Sequence, residues 1–177
     1  GDATLYLGDC LESLKTMPDK SIQMCVTSPP YYGLRDYGVD GQIGLEKTPD
    51  EYIAKLVEIF REVKRVLKDD GILWVNIGDS YAGSGGAGGD YNNGGLKDGQ
   101  PKWKSKLDIK ASKLKPKDLI GIPWMLAFAL RSDGWYLRQD IIWAKPSPLP
   151  ESVKDRCTKS HEYIFLLSKS AQYYYNA

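Results

Sequence analysis

The chain has 177 residues, of which 42% are hydrophobic, 27% charged and 11% aromatic, with a formal net charge of +1. That size suits one domain and is short for two. The composition excludes wholesale disorder, a collagen-like repeat and a small disulfide scaffold.

Thr4 to Leu7 is a short β-prone run ending at Gly8-Asp9. Cys10 to Met17 reads as a helix with Leu11 and Leu14 on one face, closed by Pro18-Asp19. Ile22 to Thr27 (IQMCVT) is nearly continuous in apolar residues, the texture of a strand covered on both sides. It stops at Ser28-Pro29-Pro30, because prolines cannot donate to a ladder. Thr48-Pro49-Asp50-Glu51 supplies an N-cap, a first-turn proline and early acids. Ile53, Leu56, Val57, Phe60, Val63 and Leu67 follow at helical spacing up to Asp69-Asp70-Gly71. Ile72 to Ile77 is a further buried-type strand, Ile122 to Arg131 an apolar helix, and Tyr136 to Ala144 and Tyr163 to Leu167 two more strands. Strands alternating with helices predict an α/β domain with a mainly parallel sheet.

Residues 81–117 interrupt this order. Gly83 to Gly95 is Gly/Asn-rich and reads as a mobile loop, and Lys97 to Lys117 holds eight lysines against two aspartates. This insert is expected either to be a solvated surface or to track phosphates through Lys102, Lys104 and Lys106, with Trp103 among them. The charge is uneven along the whole chain. Residues 1–70 carry 9 Lys/Arg and 13 Asp/Glu, a balance of −4, and the remainder 15 and 10, a balance of +5. Cys10, Cys25 and Cys157 are scattered, and His161 is the only histidine, so no metal site is expected. No apolar run approaches the ~20 residues that span a bilayer and no secretory signal opens the chain, so a reducing cytoplasm is the expected setting.

The informative segment is Thr27-Ser28-Pro29-Pro30-Tyr31-Tyr32. It follows a buried strand, and open α/β sheets bind ligands beyond the carboxyl ends of their strands. Two prolines stiffen the turn and leave carbonyl acceptors without competing amides. Ser28 adds a hydroxyl acceptor and Tyr31 an aromatic face. Such a set can grip a planar ring bearing an amino group. A nucleobase amine is a poor nucleophile because its lone pair is delocalised into the ring. Acceptors aimed at its two hydrogens favour a more tetrahedral nitrogen and stabilise positive charge during attack on an electrophile. The plain alternative is a proline-ended strand with a packed tyrosine.

The sequence resembles the amino-methylating DNA methyltransferases, whose motif is Asp/Asn/Ser-Pro-Pro-Tyr/Phe. Similar stretches are Leu7 to Glu12, Trp74 to Tyr81, Trp143 to Pro146 and Lys159 to Tyr163. The resemblance implies a Rossmann-like α/β fold with helices on both faces of the sheet, incomplete within 177 residues. It also implies S-adenosylmethionine as cofactor and double-stranded DNA as substrate. The Ser form is similar to the cytosine-N4 branch; adenine N6 stays open, as does a non-catalytic DNA-binding fragment or one half of a split enzyme. The family's glycine-rich cofactor turn is expected C-terminal to these segments, on further chain or on a second subunit. The implied catalytic residues are Ser28, Pro29, Pro30 and Tyr31, and Asp9, Cys10, Ser28 and Pro29 are the implied cofactor contacts. Asp9 has an alternative role as a helix N-cap, and Asp79 either faces the same cleft or caps a turn. Arg35, Lys145, Lys154 and Arg156, with the three lysines of the insert, are the expected DNA contacts. Trp143 is placed either at the pocket mouth or in the core, His161 is read as structural, and Tyr173 to Tyr175 as a final strand.

Overall fold

The structure, a computed structural model, describes residues 2–82 and 112–176. Its elements are α1 (Cys10–Lys15), β1 (Ile22–Thr27), α2 (Pro49–Val66), β2 (Leu67–Ile77), α3 (Ile122–Ser132), β3 (Tyr136–Ala144) and β4 (His161–Ser168). Most of the expected insert, residues 83–111 with Lys102, Lys104 and Lys106, lies outside the described residues.

The long helix forms where its start signal stands. Thr48 and Glu51 make a reciprocal capping box, Pro49 opens the first turn, and Lys64 and Arg65 close the last one. Its apolar stripe, Tyr52, Ile53, Leu56, Phe60 and Val63, is buried against Leu73, Val75 and Ile77 of β2 and Phe165 and Leu167 of β4. Leu126 and Leu130 of α3 join the same core, and Leu14 of α1 packs against it. The helix ends at Val66, short of the expected Asp69-Gly71 stop, because Leu67 is already extended and pairs with Ile22.

The sheet order is β1-β2-β4-β3. β1 and β2 pair in parallel across the α2 crossover, whereas β4 pairs antiparallel with both β2 and β3. Three of the four strands therefore share one direction, and reversed β4 is inserted between two of them. A connection without a crossover helix joins β3 to β4, which only an antiparallel pair permits. This single reversal brings the ends of β1, β2 and β3 and the start of β4 to one rim.

Four expectations change. Thr4 to Leu7 is not a strand: it pairs with no strand of the described residues, and Leu5 and Leu7 are 94% and 100% exposed. Tyr173 to Tyr175 is not a strand either, since its one ladder-like bond is Tyr174 N–H to the Asp70 carbonyl. β1 is an edge strand with one open face, where Met24 and Val26 are 50% and 69% exposed. The helices of the described residues gather on the other face, in one core, so the second helical layer is not found among them. No helix of the described residues is long and apolar enough to cross a membrane.

Candidate active site

The loop after β1 is fastened from below. The fully buried Tyr52 of α2 donates its hydroxyl to the Pro30 carbonyl at 2.8 Å. The buried Tyr32 ring leans on the Tyr52 ring at 5.3 Å and donates to the Glu46 carbonyl at 3.2 Å. Leu34 N–H closes a turn on the Tyr31 carbonyl at 3.3 Å. A side chain at Gly44, where φ is +100°, would stand 2.9 Å from that same carbonyl oxygen, so only glycine lets the two loops meet.

With Pro30 engaged, the Pro29 carbonyl is left without a hydrogen bond among the described residues. Ser28 is exposed beside it. Ser28 to Tyr31, with Leu34, Arg35 and Tyr37, line a cavity of about 360 Å³. A second cavity of about 440 Å³, at the opposite end of β2 beside Asp69, Asp70 and Tyr174, holds none of the candidate residues.

Tyr31 is half-buried, and its ring rests on Gly78 at the end of β2. Its hydroxyl lies 3.0 Å from Asn76 Oδ1 and 3.0 Å from Glu162 Oε2. Asn76 Nδ2 donates to the Tyr163 carbonyl at 3.2 Å, and Lys145 ion-pairs with Glu162. Burial pushes the Tyr31 phenol up to about 12; a hydrogen bond from Ser28 opposes the shift and the Glu162 charge adds to it. Burial also pushes Glu162 up, but the hydrogen bonds from Lys145 and Tyr31 outweigh it and hold the carboxyl below its ordinary range.

Asp9 caps α1, accepting from Leu11 N and Glu12 N at 2.9 and 3.1 Å, and Cys10 follows it with an exposed thiol pushed up by burial and by Asp9. Neither lines the Ser28 cavity. Arg35 does line it, and Lys154 is exposed on the β3–β4 loop. Lys145 and Arg156 are engaged within the protein: Lys145 with Glu162, Arg156 with Glu151 and over the Tyr81 ring at 3.9 Å. Asp79 caps α3 across the chain, accepting from Gly121 N and Ile122 N. Trp143 is 53% exposed rather than core, and His161 packs edge-on against Tyr163 at 5.2 Å.

Nothing in the sequence alone assigns a role to Asn76, Glu162 or Lys159. The Lys159 ammonium is half-buried and pulled down by that burial, with Asp79, Glu162 and Glu151 opposing the shift. The available signal was opposite charges at Lys145 and Glu162, flanking the loop between two strands.

Residues 22–177 match the family described as DNA methylase, the N6/N4 class. The chain belongs to this family. It is 56% identical over 174 residues to the Type II methyltransferase M.Cfr9I of Citrobacter freundii, covering 98% of this chain and 57% of that protein. The Type II methyltransferase M.SmaI of Serratia marcescens is 54% identical, with 97% and 58% covered. The chain thus spans somewhat over half the length of these relatives. Among solved structures, the cytosine-N4-specific PvuII DNA methyltransferase superposes with a TM-score of 0.63 at 21% identity, covering 95% of this chain and 49% of that one. A protein of Thermus thermophilus described as a DNA modification methylase, complexed with S-adenosyl-L-methionine, gives 0.61 at 20% identity, with 97% and 55% covered. Both share the fold, which makes the Rossmann-like expectation a finding for this DNA methylase chain.

Proposed function

We propose that residues 1–177 form the target-base half of a Type II DNA methyltransferase. It moves a methyl group from S-adenosylmethionine to the exocyclic amine of a base flipped out of double-stranded DNA, at cytosine N4. The observation that carries this reading is the open Pro29 carbonyl beside the exposed Ser28 hydroxyl, on a cavity walled by Tyr31. These residues fit the reacting side of the cofactor: the acceptors stand open on a rim, ready for an amine and a methyl donor to meet over them. When bound, S-adenosylmethionine supplies an electrophilic methyl group on a positive sulfonium.

The chain's own residues then do the following. Tyr31 offers a ring to stack on the flipped base, which contributes ~1–3 kcal/mol against an extrusion cost of a few kcal/mol. The Pro29 carbonyl and Ser28 accept the two amine hydrogens and turn the nitrogen lone pair toward the methyl donor. The base enters past Arg35 and Lys154, which meet phosphates together with the lysines of the 97–117 insert. Asp9 and Cys10, at the head of α1, contact the cofactor. The glycine-rich turn that cradles it comes from the part of the relatives' length beyond this match or from a second subunit. The face of β1 that carries Ile22, Met24 and Val26 is open among the described residues.

Serine at position 28 supports cytosine N4 over adenine N6. The deciding experiment is nucleoside mass analysis of DNA methylated by the full-length protein. N4-methylcytosine is expected; N6-methyladenine overturns the choice of base, and no methylation in the presence of S-adenosylmethionine overturns the enzymatic reading.

A further inference from the structure

We propose that Glu162 is a positioning residue: its carboxylate sets the direction of the hydrogen bonds around Tyr31 so that Ser28 presents its lone pairs to the target amine. This rests on the methyltransferase reading and deepens it.

The Tyr31 hydroxyl has one proton and two acceptors at 3.0 Å, Asn76 Oδ1 and Glu162 Oε2. An ionised carboxylate takes that proton in preference to an amide oxygen, because the charge-assisted bond is roughly twice as strong. The orientation of Asn76 is fixed independently: its Nδ2 donates to the Tyr163 carbonyl at 3.2 Å and faces Glu162 Oε2 at 3.5 Å. Asn76 Oδ1 therefore points back toward the loop with no proton of its own and none from Tyr31. Ser28 Oγ lies 3.5 Å from it. Among the described residues, the hydrogen available for that position is the one on Ser28, whose hydroxyl also hydrogen-bonds the Tyr31 phenol oxygen, so that both of its inward acceptors belong to this cluster. With its proton turned inward, Ser28 can act only as an acceptor on the cavity side, which is the state that binding an amine requires.

Lys145 completes the device. Paired with Glu162 at the end of β3, it keeps the carboxylate ionised and aimed at Tyr31. Tyr31, Asn76, Lys145 and Glu162 sit at or beside the ends of different strands and are brought to one rim by the reversal of β4. Were Glu162 absent, the Tyr31 proton would turn to Asn76 Oδ1, the Ser28 proton would be released outward, and it would point at the amine hydrogens.

The test is a double-mutant cycle on the full-length enzyme, measuring kcat and DNA Kd for Glu162→Ala, Glu162→Gln, Tyr31→Phe and Glu162→Ala with Tyr31→Phe. Glu162→Ala is expected to lower kcat ~10-fold or more with DNA Kd nearly unchanged, which corresponds to about 1.4 kcal/mol in the transition state. In the Tyr31→Phe background, where there is no phenol proton to direct, Glu162→Ala is expected to have much less effect. Glu162→Gln, which keeps the volume but replaces the charged oxygen with an amide oxygen no stronger than that of Asn76, is expected to restore little of the rate. A physical readout accompanies the kinetics. The 13Cζ resonance of Tyr31, assigned by its loss in Tyr31→Phe, is expected to shift in Glu162→Ala. Additive losses, equal losses of kcat and DNA affinity, or an unmoved Tyr31 resonance overturn the proposal. A wild-type protein that methylates nothing overturns the methyltransferase reading instead, and the resonance still reports the Glu162–Tyr31 link.

Discussion

The Tyr31 ring lies so close to Gly78 that a methyl group at position 78 would stand 2.6 Å from Tyr31 Cε2. The end of β2 therefore acts as the floor on which the stacking ring rests, and glycine is the residue that lets the ring lie down. Gly78→Ala is expected to tilt the ring toward the cavity. A displacement of ~1 Å can cost ~100-fold in rate, so turnover should fall about tenfold or more with little change in DNA affinity. Steady-state kinetics with DNA binding measured in parallel checks this; an unchanged kcat would show that the ring's placement does not govern the reaction.

Asp79, next in sequence, is expected to matter for stability and much less for chemistry. Its carboxylate supplies the cap that Gly121, at φ +85° and without a side chain, cannot give to α3. Asp79→Ala should destabilise the protein by ~1–2 kcal/mol. In a protein of roughly 150–250 residues each kcal/mol lowers Tm by ~2–4 °C. Calorimetric unfolding checks the shift, and kcat of the remaining folded protein should stay close to wild type.

Acid stability should report the Lys145–Glu162 pair. The folded carboxyl is held below its unfolded value, ~4.3 for a model peptide. Its contribution is therefore present above that value and lost as pH falls through the folded one. Lys145→Ala removes the first of the interactions that hold it down, so Glu162 should protonate at higher pH and the acid-unfolding midpoint should move upward. Circular dichroism across an acid titration of both proteins checks this, and superimposable acid limbs would contradict it.

The lysine-rich insert gives a separate test of DNA binding. Replacing Lys102, Lys104 and Lys106 with glutamine should weaken binding and flatten the plot of log affinity against log salt by ~0.9 for each phosphate no longer neutralised. An unchanged slope would make the segment a solvated surface.

The parts of the fold written in local pattern were legible. β1 and β3 have the bounds that their apolar runs suggested, and α2 starts at its capping box. Thr4 to Leu7 misled because β-propensity describes fitness for a pleated, half-buried surface, and no strand of the described residues lies beside it. The Ser28-Pro29-Pro30-Tyr31 turn was legible because proline ends a ladder wherever it occurs. Glu162 was not, although it touches Tyr31, because the two are 131 positions apart and meet only through the reversal of β4. Strand direction is not encoded in hydrophobic texture. The partners of Lys145 and Arg156 were hidden for the same reason: a sequence displays a charge but not the carboxylate that folding sets against it.

The most direct test of the account is the pair of variants Ser28→Ala and Tyr31→Ala, with kcat and DNA Kd measured on the full-length protein. A cavity that holds an extruded base by its amine predicts a large loss of kcat in both variants and a much smaller change in Kd. Loss of turnover and of DNA affinity in equal measure would show instead that these residues only hold the loop in shape.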